Sequence, residues 1–282
     1  MSESKPNYYL FVDASYYIFF RYHALKNWWK LAKKDESQEC SACNPGFVAK
    51  FKELFASKFK EILKKLKLDP EDTKIFVGKD CYQHEIWRNS HTKDYKQGRA
   101  ENNEIGAFFK MIYDEHMFTT IPGIDVTLLE YPSLEADDCI ALAVKKMYLA
   151  DVHAGCVESR KYIIVTSDHD YGQLLNEDSS IVLYNLKYKN LCDEKKVFED
   201  GKKNLFVKIC SGDKSDNIPA IFPKCGFVTA CKMYDDADLL MKKTVDPVVQ
   251  KQMAKNNNLV NFDCIPADLQ KGFYAMYGSH FK

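Results

Sequence analysis

Residues 162–170 read Tyr-Ile-Ile-Val-Thr-Ser-Asp-His-Asp, so a short apolar run passes directly into two carboxylates, Asp168 and Asp170. A short apolar run of this kind is typical of a buried strand. Three more apolar runs, at residues 8–12, 75–78 and 126–129, are also followed by acidic residues: Asp13, Asp80, and the group Glu135, Asp137 and Asp138. The repeated order of strand and then acid predicts an α/β sheet with its functional site at one edge.

The acids are expected to converge, because ligand sites in open α/β sheets lie outside the carboxyl ends of the strands. Carboxylates gathered there cannot all stay ionised without a cation. Oxygen ligands suit Mg²⁺ or Mn²⁺. A further acidic pair, Asp213 and Asp216, lies in Gly-Asp-Lys-Ser-Asp-Asn at residues 212–217.

Each acidic group also has a purely structural interpretation. Acids in the first turn of a helix, as in Glu-Ala-Asp-Asp at 135–138, stabilise the helix dipole. The Ser-Asp-His-Asp segment at 167–170 could be an Asx turn that caps a helix. The pair at 213 and 216 is more specific, since a simple loop does not need two acids at that spacing.

Strands and helices alternate along the first 200 residues. Strands are predicted at residues 8–12, 74–77, 124–129, 162–166 and 181–184, and helices begin at Pro45 and near Leu134. This alternation predicts a mostly parallel central sheet flanked by helices. From about residue 202 the strand signals stop, so we place a boundary between an α/β part (1–200) and a C-terminal helical part (201–282).

The composition is that of an ordinary globular protein, with 13% aromatic and 28% charged residues. No apolar run is long enough for a membrane span, and the polar first residues do not predict a signal peptide. The ten scattered cysteines are typical of reduced thiols, which favours an intracellular protein over a secreted one. The 40 basic and 40 acidic residues balance, but setting nine acids aside as metal ligands leaves a basic surface excess that is compatible with phosphate binding.

The segment from Tyr82 to Met117 interleaves basic and aromatic residues, among them Arg88, Tyr95 and Lys96. Such a pattern suits a surface that follows a nucleic-acid backbone and on which bases stack. A solvated pair of amphipathic helices is the equally weighted alternative.

Taken together, these motifs resemble the 5′-nuclease (flap endonuclease) superfamily. The shared features are Asp13 after the first strand, Glu-Ala-Asp-Asp before a helix, Ser-Asp-His-Asp after a strand, Gly-Asp-x-x-Asp-Asn, and Tyr-Lys-x-x-Arg at 95–99. The resemblance covers about residues 8–270 and is strongest to the phage ribonuclease H branch. It implies a nuclease core with a helical arch at about residues 83–117 and a C-terminal part similar to a helix-hairpin-helix domain.

The resemblance also implies roles for individual residues. The expected metal ligands are Asp13, Asp80, Glu135, Asp137, Asp138, Asp168, Asp170, Asp213 and Asp216, and they would hold two Mg²⁺ ions that Mn²⁺ can replace. Lys96 and Arg99 would contact the scissile phosphate and act with Asp13, Asp80 and Asp168 in catalysis. Tyr95 would stack on a base, and Arg88, Lys224 and Gly226 would complete the nucleic-acid contacts.

One segment departs from the family pattern. The family usually has a Gly-x-Gly hairpin here that binds duplex DNA with a monovalent cation, whereas residues 220–227 read Ala-Ile-Phe-Pro-Lys-Cys-Gly-Phe. A K⁺ ion at this hairpin is a possible cofactor. Glycines permit the backbone to approach a phosphate closely, and this segment has a single glycine, so duplex anchoring is expected to be weak.

The resemblance implies a metal-dependent 5′-3′ exonuclease and 5′ flap endonuclease acting on DNA or RNA–DNA in replication or repair. A single-strand-binding protein or a polymerase is the expected partner, and the chain is expected to be a monomer in a bacterial or phage-infected cytoplasm or a nucleus. Two alternatives stay open: a PIN-like endoribonuclease and a catalytically silent DNA-binding factor.

Overall fold

A five-stranded sheet forms the centre of the computed structural model, which describes residues 7–34, 41–97 and 103–281. The strands are β1 (Tyr8–Asp13), β2 (Thr73–Gly78), β3 (Val126–Leu129), β4 (Lys161–Val165) and β5 (Ile181–Tyr184). They lie in the order β3-β2-β1-β4-β5, and all neighbouring pairs are parallel. The predicted α/β fold with a parallel sheet is confirmed.

Helices cover both faces of the sheet and form the C-terminal part. Within the described residues they are α1 (Ala14–Ala32), α2 (Pro45–Leu66), α3 (Asn103–Asp114), α4 (Ala136–His153), α5 (Gly201–Ser211), α6 (Phe227–Asp235), α7 (Ala237–Thr244), α8 (Pro247–Val260) and α9 (Ala267–Tyr277). The predicted cap of α2 is confirmed: Asn44 accepts a hydrogen bond from the Phe47 N–H at 3.0 Å, and Pro45 is the first helical residue.

Alternate strand residues face two separate hydrophobic cores. Phe11, Phe76 and Ile164 pack with α4 and α9 on one face. Val12 and Val77 pack with α1, α2 and α3 on the other. Because both faces are covered, the strands are apolar without alternation, which explains why short apolar runs located them correctly.

The sheet has its topological switch point at β1, which pairs with β2 on one side and β4 on the other. The chain builds β2 and β3 outward on the first side and then returns to build β4 and β5 on the second. The carboxyl ends of β1, β2 and β4 therefore lie next to one another, at the position where open α/β sheets bind ligands.

The C-terminal helices divide between two cores. Helices α5, α6 and α8 share a small core of their own that includes Val207, Met233 and Val249. Helix α9 instead places Phe273 and Tyr277 in the core beside α4. The end of the chain thus packs on the sheet layer, and the proposed division at residue 200 stays a prediction.

The segment predicted as an arch, residues 83–117, is described only in part. It contains short 3-10 turns at Gln83–Glu85 and Trp87–Ser90 and then helix α3. Residues 98–102 lie outside the described residues. Buried Phe108 and Ile112 hold α3 against α1 and α2.

No helix in the described ranges is long and apolar enough to cross a membrane.

Candidate active site

Asp13 lies at the point where β1 becomes α1. Its carboxylate accepts the Tyr16 N–H at 3.0 Å, which caps the first turn of the helix. The Thr166 hydroxyl lies 3.5 Å and the Tyr171 hydroxyl 3.4 Å from the other carboxylate oxygen. These contacts hold the Asp13 carboxylate beside the carboxyl end of the neighbouring strand β4.

Asp80, two residues beyond β2, joins two helix N-termini. One carboxylate oxygen accepts the Ala136 N–H at 2.9 Å, and the other accepts the Ser15 hydroxyl. Ala136 begins α4 and Ser15 belongs to the first turn of α1, so Asp80 holds the starts of both helices together. The helix N-termini also favour the negative charge placed between them.

Asp13, Asp80, Asp137 and Asp168 share one electrostatic environment. Burial and the charges of Asp80 and Asp168 raise the pKa of Asp13 to about 7. The hydroxyl of Tyr171 is buried among the same group, since its pKa is raised by burial and then by the charges of all four carboxylates. Four acids on four different segments thus lie close enough at the carboxyl edge to influence one another's charge, and their role as metal ligands stays a prediction.

Asp137 is the acid with the least compensation in the group at the start of α4. Burial and the charge of Asp138 raise the pKa of Asp137 well above its ordinary value. One carboxylate oxygen from each of Glu135, Asp137 and Asp138 lies within 4.8 Å of the others, close enough to share a cation. All three were predicted metal ligands, but their surroundings differ.

Glu135 and Asp138 are already neutralised by Arg88. The guanidinium donates to Glu135 at 2.7 Å and to both oxygens of Asp138 at 2.7 and 2.8 Å. The Trp87 indole N–H also donates to Asp138 at 2.9 Å, and the Asp138 side chain accepts the Glu135 N–H at 3.1 Å. Asp138 therefore orders the first turn of α4, and the Asp137 carboxylate accepts the Asp138 N–H at 2.8 Å.

This arrangement contradicts the predicted nucleic-acid contact of Arg88. The residue is 1% exposed, and its Nε donates to the Leu259 carbonyl at 2.7 Å. Its charged fork is directed into the protein and binds two carboxylates, so it presents no surface to a phosphate. Arg88 connects the start of α4 to the end of α8.

Tyr95 is also buried, at 4% exposure, which conflicts with its predicted stacking on a base. Its hydroxyl donates to Glu135 at 3.1 Å and lies 3.5 Å from Asp216. Lys96, the next residue, is half-buried, and its ammonium donates to the other oxygen of Glu135. Lys96 therefore borders the acidic cluster, its predicted contact with the scissile phosphate stays a prediction, and Arg99 lies outside the described residues.

Two further predicted ligands, Asp170 and Asp213, contact a lysine that sequence reasoning missed. Lys208 on α5 places its ammonium 2.5 Å from Asp213 and forms an ion pair with Asp170. Burial raises the pKa of Asp170 to about 6, with a contribution from Asp168. Burial also opposes ionisation of Asp213, but Lys208 and Ser215 outweigh it and lower that pKa to about 2.

Eight of the nine predicted ligands form two groups of different character, and the ninth, Asp216, lies 3.5 Å from the Tyr95 hydroxyl. Asp13, Asp80, Asp137 and Asp168 are crowded carboxylates whose charge is not balanced by a contacting lysine or arginine in the contacts described. Asp170 and Asp213 share the ammonium of Lys208, and Glu135 and Asp138 share Arg88. The first group offers oxygen donors of the kind that hard divalent ions prefer, while within the described residues only Glu135, Asp137 and Asp138 bring three carboxylate oxygens within 4.8 Å of one another. A bound cation would remove the repulsion that raises the pKa of Asp13.

The hairpin before α6 has a lysine, Lys224, in a left-handed backbone conformation. Lys224 has a φ of 65°, the left-handed conformation for which glycine is favoured, and the Gly226 N–H donates to the Lys224 carbonyl at 2.9 Å. Lys224 and Gly226 are both exposed. A side chain therefore occupies a backbone conformation that we expected to require glycine, at a cost in strain.

Residues 8–202 match the model of a protein family described as the 5′-3′ exonuclease, N-terminal resolvase-like domain. The chain belongs to this exonuclease family. The match covers the whole sheet and every acid of the first group, so it includes the site as well as the scaffold. No curated protein sequence matches the chain.

Solved structures of a bacteriophage T5 nuclease share this exonuclease-family fold. The T5 D15 protein crystallised with metal ions has a TM-score of 0.66 at 16% identity, covering 98% of this chain and 100% of that one. T5 5′-exonuclease with bound zinc has a TM-score of 0.62 at 15% identity, with the same coverage. A variant T5 D15 flap endonuclease in a complex with DNA and metal ions has a TM-score of 0.64 at 16% identity, covering 97% and 99%.

Two further residues of the exonuclease-family site carry little sequence signal. Tyr171 directly follows Asp170, and a tyrosine after an acidic turn usually indicates only packing. Lys208 lies within a helix whose sequence, Gly-Lys-Lys-Asn-Leu-Phe-Val-Lys-Ile-Cys-Ser, contains three lysines. Only its tertiary partners distinguish Lys208 from Lys202 and Lys203 in the first turn of the same helix.

Proposed function

We propose that this chain is a divalent-metal-dependent 5′-3′ exonuclease and 5′ flap endonuclease that hydrolyses phosphodiester bonds of DNA and RNA–DNA. The observation that carries the proposal is the meeting of Asp13, Asp80, Asp137 and Asp168 at the switch point of the sheet. The family membership and the DNA-bound T5 relative support it.

The four carboxylates would hold the metal, with Mg²⁺ as the expected ion and Mn²⁺ able to replace it. When bound, such ions polarise the phosphate and lower the pKa of a water nucleophile. The protein residues do the rest. Asp80 orders both helix starts, Asp138 and Arg88 fix the turn that presents Asp137, and Tyr171 and Thr166 direct Asp13 toward the cleft.

Lys96 would neutralise charge that develops on the scissile phosphate, together with Arg99. In the free protein its ammonium rests on Glu135, at the border of the acidic cluster. This contact keeps the charge close to the cleft without substrate. Because Arg88 also neutralises Glu135, the carboxylate keeps one cation when Lys96 turns toward a phosphate.

The wider role follows from the family. We propose that the protein removes RNA primers or 5′ flaps in replication or repair inside the cell, as a monomer, with a single-strand-binding protein or a polymerase as partner. The end nucleotide would unpair to reach the site, at a cost of a few kcal/mol that falls at frayed ends. A K⁺ ion at the hairpin of Lys224 and Gly226 stays a prediction.

The test is cleavage of a 5′-labelled flap in Mg²⁺ by the wild-type chain, by Asp168→Asn and by a control, Asp125→Asn. Asp125 is an exposed acid at the opposite end of the sheet, before β3. We expect Asp168→Asn to abolish turnover while nucleic-acid binding in Ca²⁺ changes by less than about threefold. The control should cut normally.

Each other outcome points to a different function. Asp168→Asn activity within tenfold of wild type would refute the metal assignment. Cleavage of single-stranded RNA without cleavage of flaps would favour the PIN-like endoribonuclease. Binding of flaps without cleavage by the wild-type chain would favour the silent DNA-binding factor.

A further inference from the structure

The loop after α5 is a rigid turn that carries two of the predicted ligands. The Asp213 N–H donates to the Ile218 carbonyl at 2.8 Å, and the Ile218 N–H donates to the Asp213 carbonyl at 2.7 Å. Gly212 has a φ of 67°, and a Cβ there would lie 2.3 Å from the Ile218 oxygen. Asn217 has a φ of 58°, which asparagine tolerates better than most residues.

Asn217 uses its side chain to bind a different segment of the chain. Its amide nitrogen donates to the Asp94 carbonyl at 3.0 Å and to the Gln97 carbonyl at 2.7 Å. An amide NH₂ has two hydrogens, so this group is fully used. Its neighbour Asp216 accepts the Lys96 N–H at its backbone carbonyl, at 3.1 Å. Residues 94–97 are thus joined to the loop by three hydrogen bonds.

These bonds determine the backbone of Lys96. Its N–H is held by Asp216, and its carbonyl accepts the Gln83 side-chain amide at 3.1 Å. Lys96 itself has a φ of 54°, a conformation that a lysine rarely adopts without surrounding constraints. Asn217 bridges the residues on either side of Lys96, and the ammonium then meets Glu135.

We propose that Asn217 is a positioning residue for Lys96. Its amide holds turn 94–97 in the shape that places the Lys96 ammonium beside the acidic cleft, and it couples that turn to the loop of Asp213 and Asp216. The proposal rests on the proposed function, in which Lys96 acts on the phosphate. A displacement of about 1 Å at a positioned group costs on the order of 100-fold in rate.

The test is a double-mutant cycle between Asn217→Gly and Lys96→Ala, measured as the single-turnover rate on a saturating 5′ flap in Mg²⁺. Glycine keeps the positive φ and removes both donors. We expect Asn217→Gly to lower the rate about 10- to 100-fold with Lys96 present and less than about twofold in the Lys96→Ala background. Flap affinity in Ca²⁺ should change by less than about threefold.

The matched control is Gln250→Ala, which removes another exposed side-chain amide that donates to a backbone carbonyl, that of Thr244 at the end of α7, at 2.9 Å. It leaves turn 94–97 and its bonds to Asn217 intact, so its rate should stay within about twofold of wild type. Hydrogen exchange gives a readout without substrate. The Lys96 amide should exchange at least about tenfold faster in Asn217→Gly than in wild type, because the turn that holds it opens.

The outcomes separate the two proposals. Two results would refute the positioning role and leave the nuclease assignment intact, provided that the wild-type chain cuts flaps. One is a single-turnover rate of Asn217→Gly within about twofold of wild type. The other is an equal loss of rate from Asn217→Gly in both Lys96 backgrounds. An unchanged exchange rate at Lys96 refutes it as well. If the wild-type chain cuts no substrate, the proposed function fails, and the positioning role in that reaction fails with it.

Discussion

Removing the Arg88 charge should destabilise the protein more than removing any surface charge. Arg88 makes four hydrogen bonds of 2.7–2.8 Å, three to carboxylates and one to the Leu259 carbonyl. Its two acidic partners are almost fully buried, with side chains 3% and 0% exposed. Arg88→Met therefore leaves buried Asp138 without its cation and buried Glu135 with that of Lys96 alone. Breaking a buried ion pair by removing one partner costs about 3–5 kcal/mol.

The assay is urea unfolding at pH 7, with three comparison variants. Arg88→Lys keeps the charge but not the planar fork, so its loss should be intermediate. Lys110→Met removes an exposed i,i+4 partner of Asp114 and should leave the free energy of unfolding nearly unchanged, because solvent screens that pair. Adding Asp138→Asn to Arg88→Met should recover part of the loss, because it removes one of the stranded charges.

The loss should also shrink in acid. Burial raises the pKa of Glu135, but Lys96 and Arg88 outweigh it and hold the pKa below its ordinary value. A lowered folded-state pKa stabilises the protein above the unfolded pKa of about 4.3, and this stabilisation is lost as the pH falls through the folded value. The gap between wild type and Arg88→Met should thus be largest near neutral pH. A loss below about 1 kcal/mol at pH 7 would refute the buried-pair interpretation.

Three further predictions concern the other basic residues. Lys96→Ala and Arg99→Ala should each lower the single-turnover rate far more than affinity; loss of affinity alone, with an unchanged rate at saturation, would make the residue an ordinary phosphate contact. In thermal melts without divalent ions, Lys208→Met should be less stable than wild type, because Asp170 and Asp213 then lack a cation. Added Mg²⁺ should therefore stabilise Lys208→Met more than it stabilises wild type. An equal gain in the two proteins would contradict this. Lys224→Gly should raise the free energy of unfolding in urea by about 1 kcal/mol, because glycine relieves the left-handed strain. It should also reduce the slope of log flap affinity against log salt concentration by about 0.9. An unchanged slope would show that Lys224 does not contact the nucleic acid.

The sequence was sufficient wherever the signal is local. Strand positions followed from short apolar runs, because both faces of the sheet are buried, and the acids followed from the strand ends. The cap at Asn44 and Pro45 needs only the neighbouring residues. The meeting of Asp13, Asp80, Asp137 and Asp168 could be predicted because a parallel sheet brings its carboxyl ends to one edge.

The errors concern charged and polar side chains with distant partners. Arg88 looks like a surface cation in sequence, yet its partners lie 47, 50 and 171 residues away, at Glu135, Asp138 and Leu259. Tyr95 looked available for stacking for the same reason. Burial of a charge is decided by whether it finds its counter-charge in the fold, and the composition of the local segment does not reveal that.

The basic residues determine which acids keep their charge uncompensated. Without Arg88 and Lys208, all nine predicted ligands would have equal claim to a cation, and their mutual repulsion would oppose folding of the metal-free chain. The pair that orders α4 shares the charge of Arg88, and Asp170 and Asp213 share that of Lys208, so each cation offsets one of two negative charges. What remains is Asp13, Asp80, Asp137 and Asp168 at the switch point, where an ion gains the most from binding; the carboxylate of Asp216 lies 3.5 Å from the Tyr95 hydroxyl. The folded chain therefore places basic side chains beside the carboxylates that order its helices and loops. It leaves the carboxylates at the switch point without such a partner in the contacts described, where we propose that a metal binds.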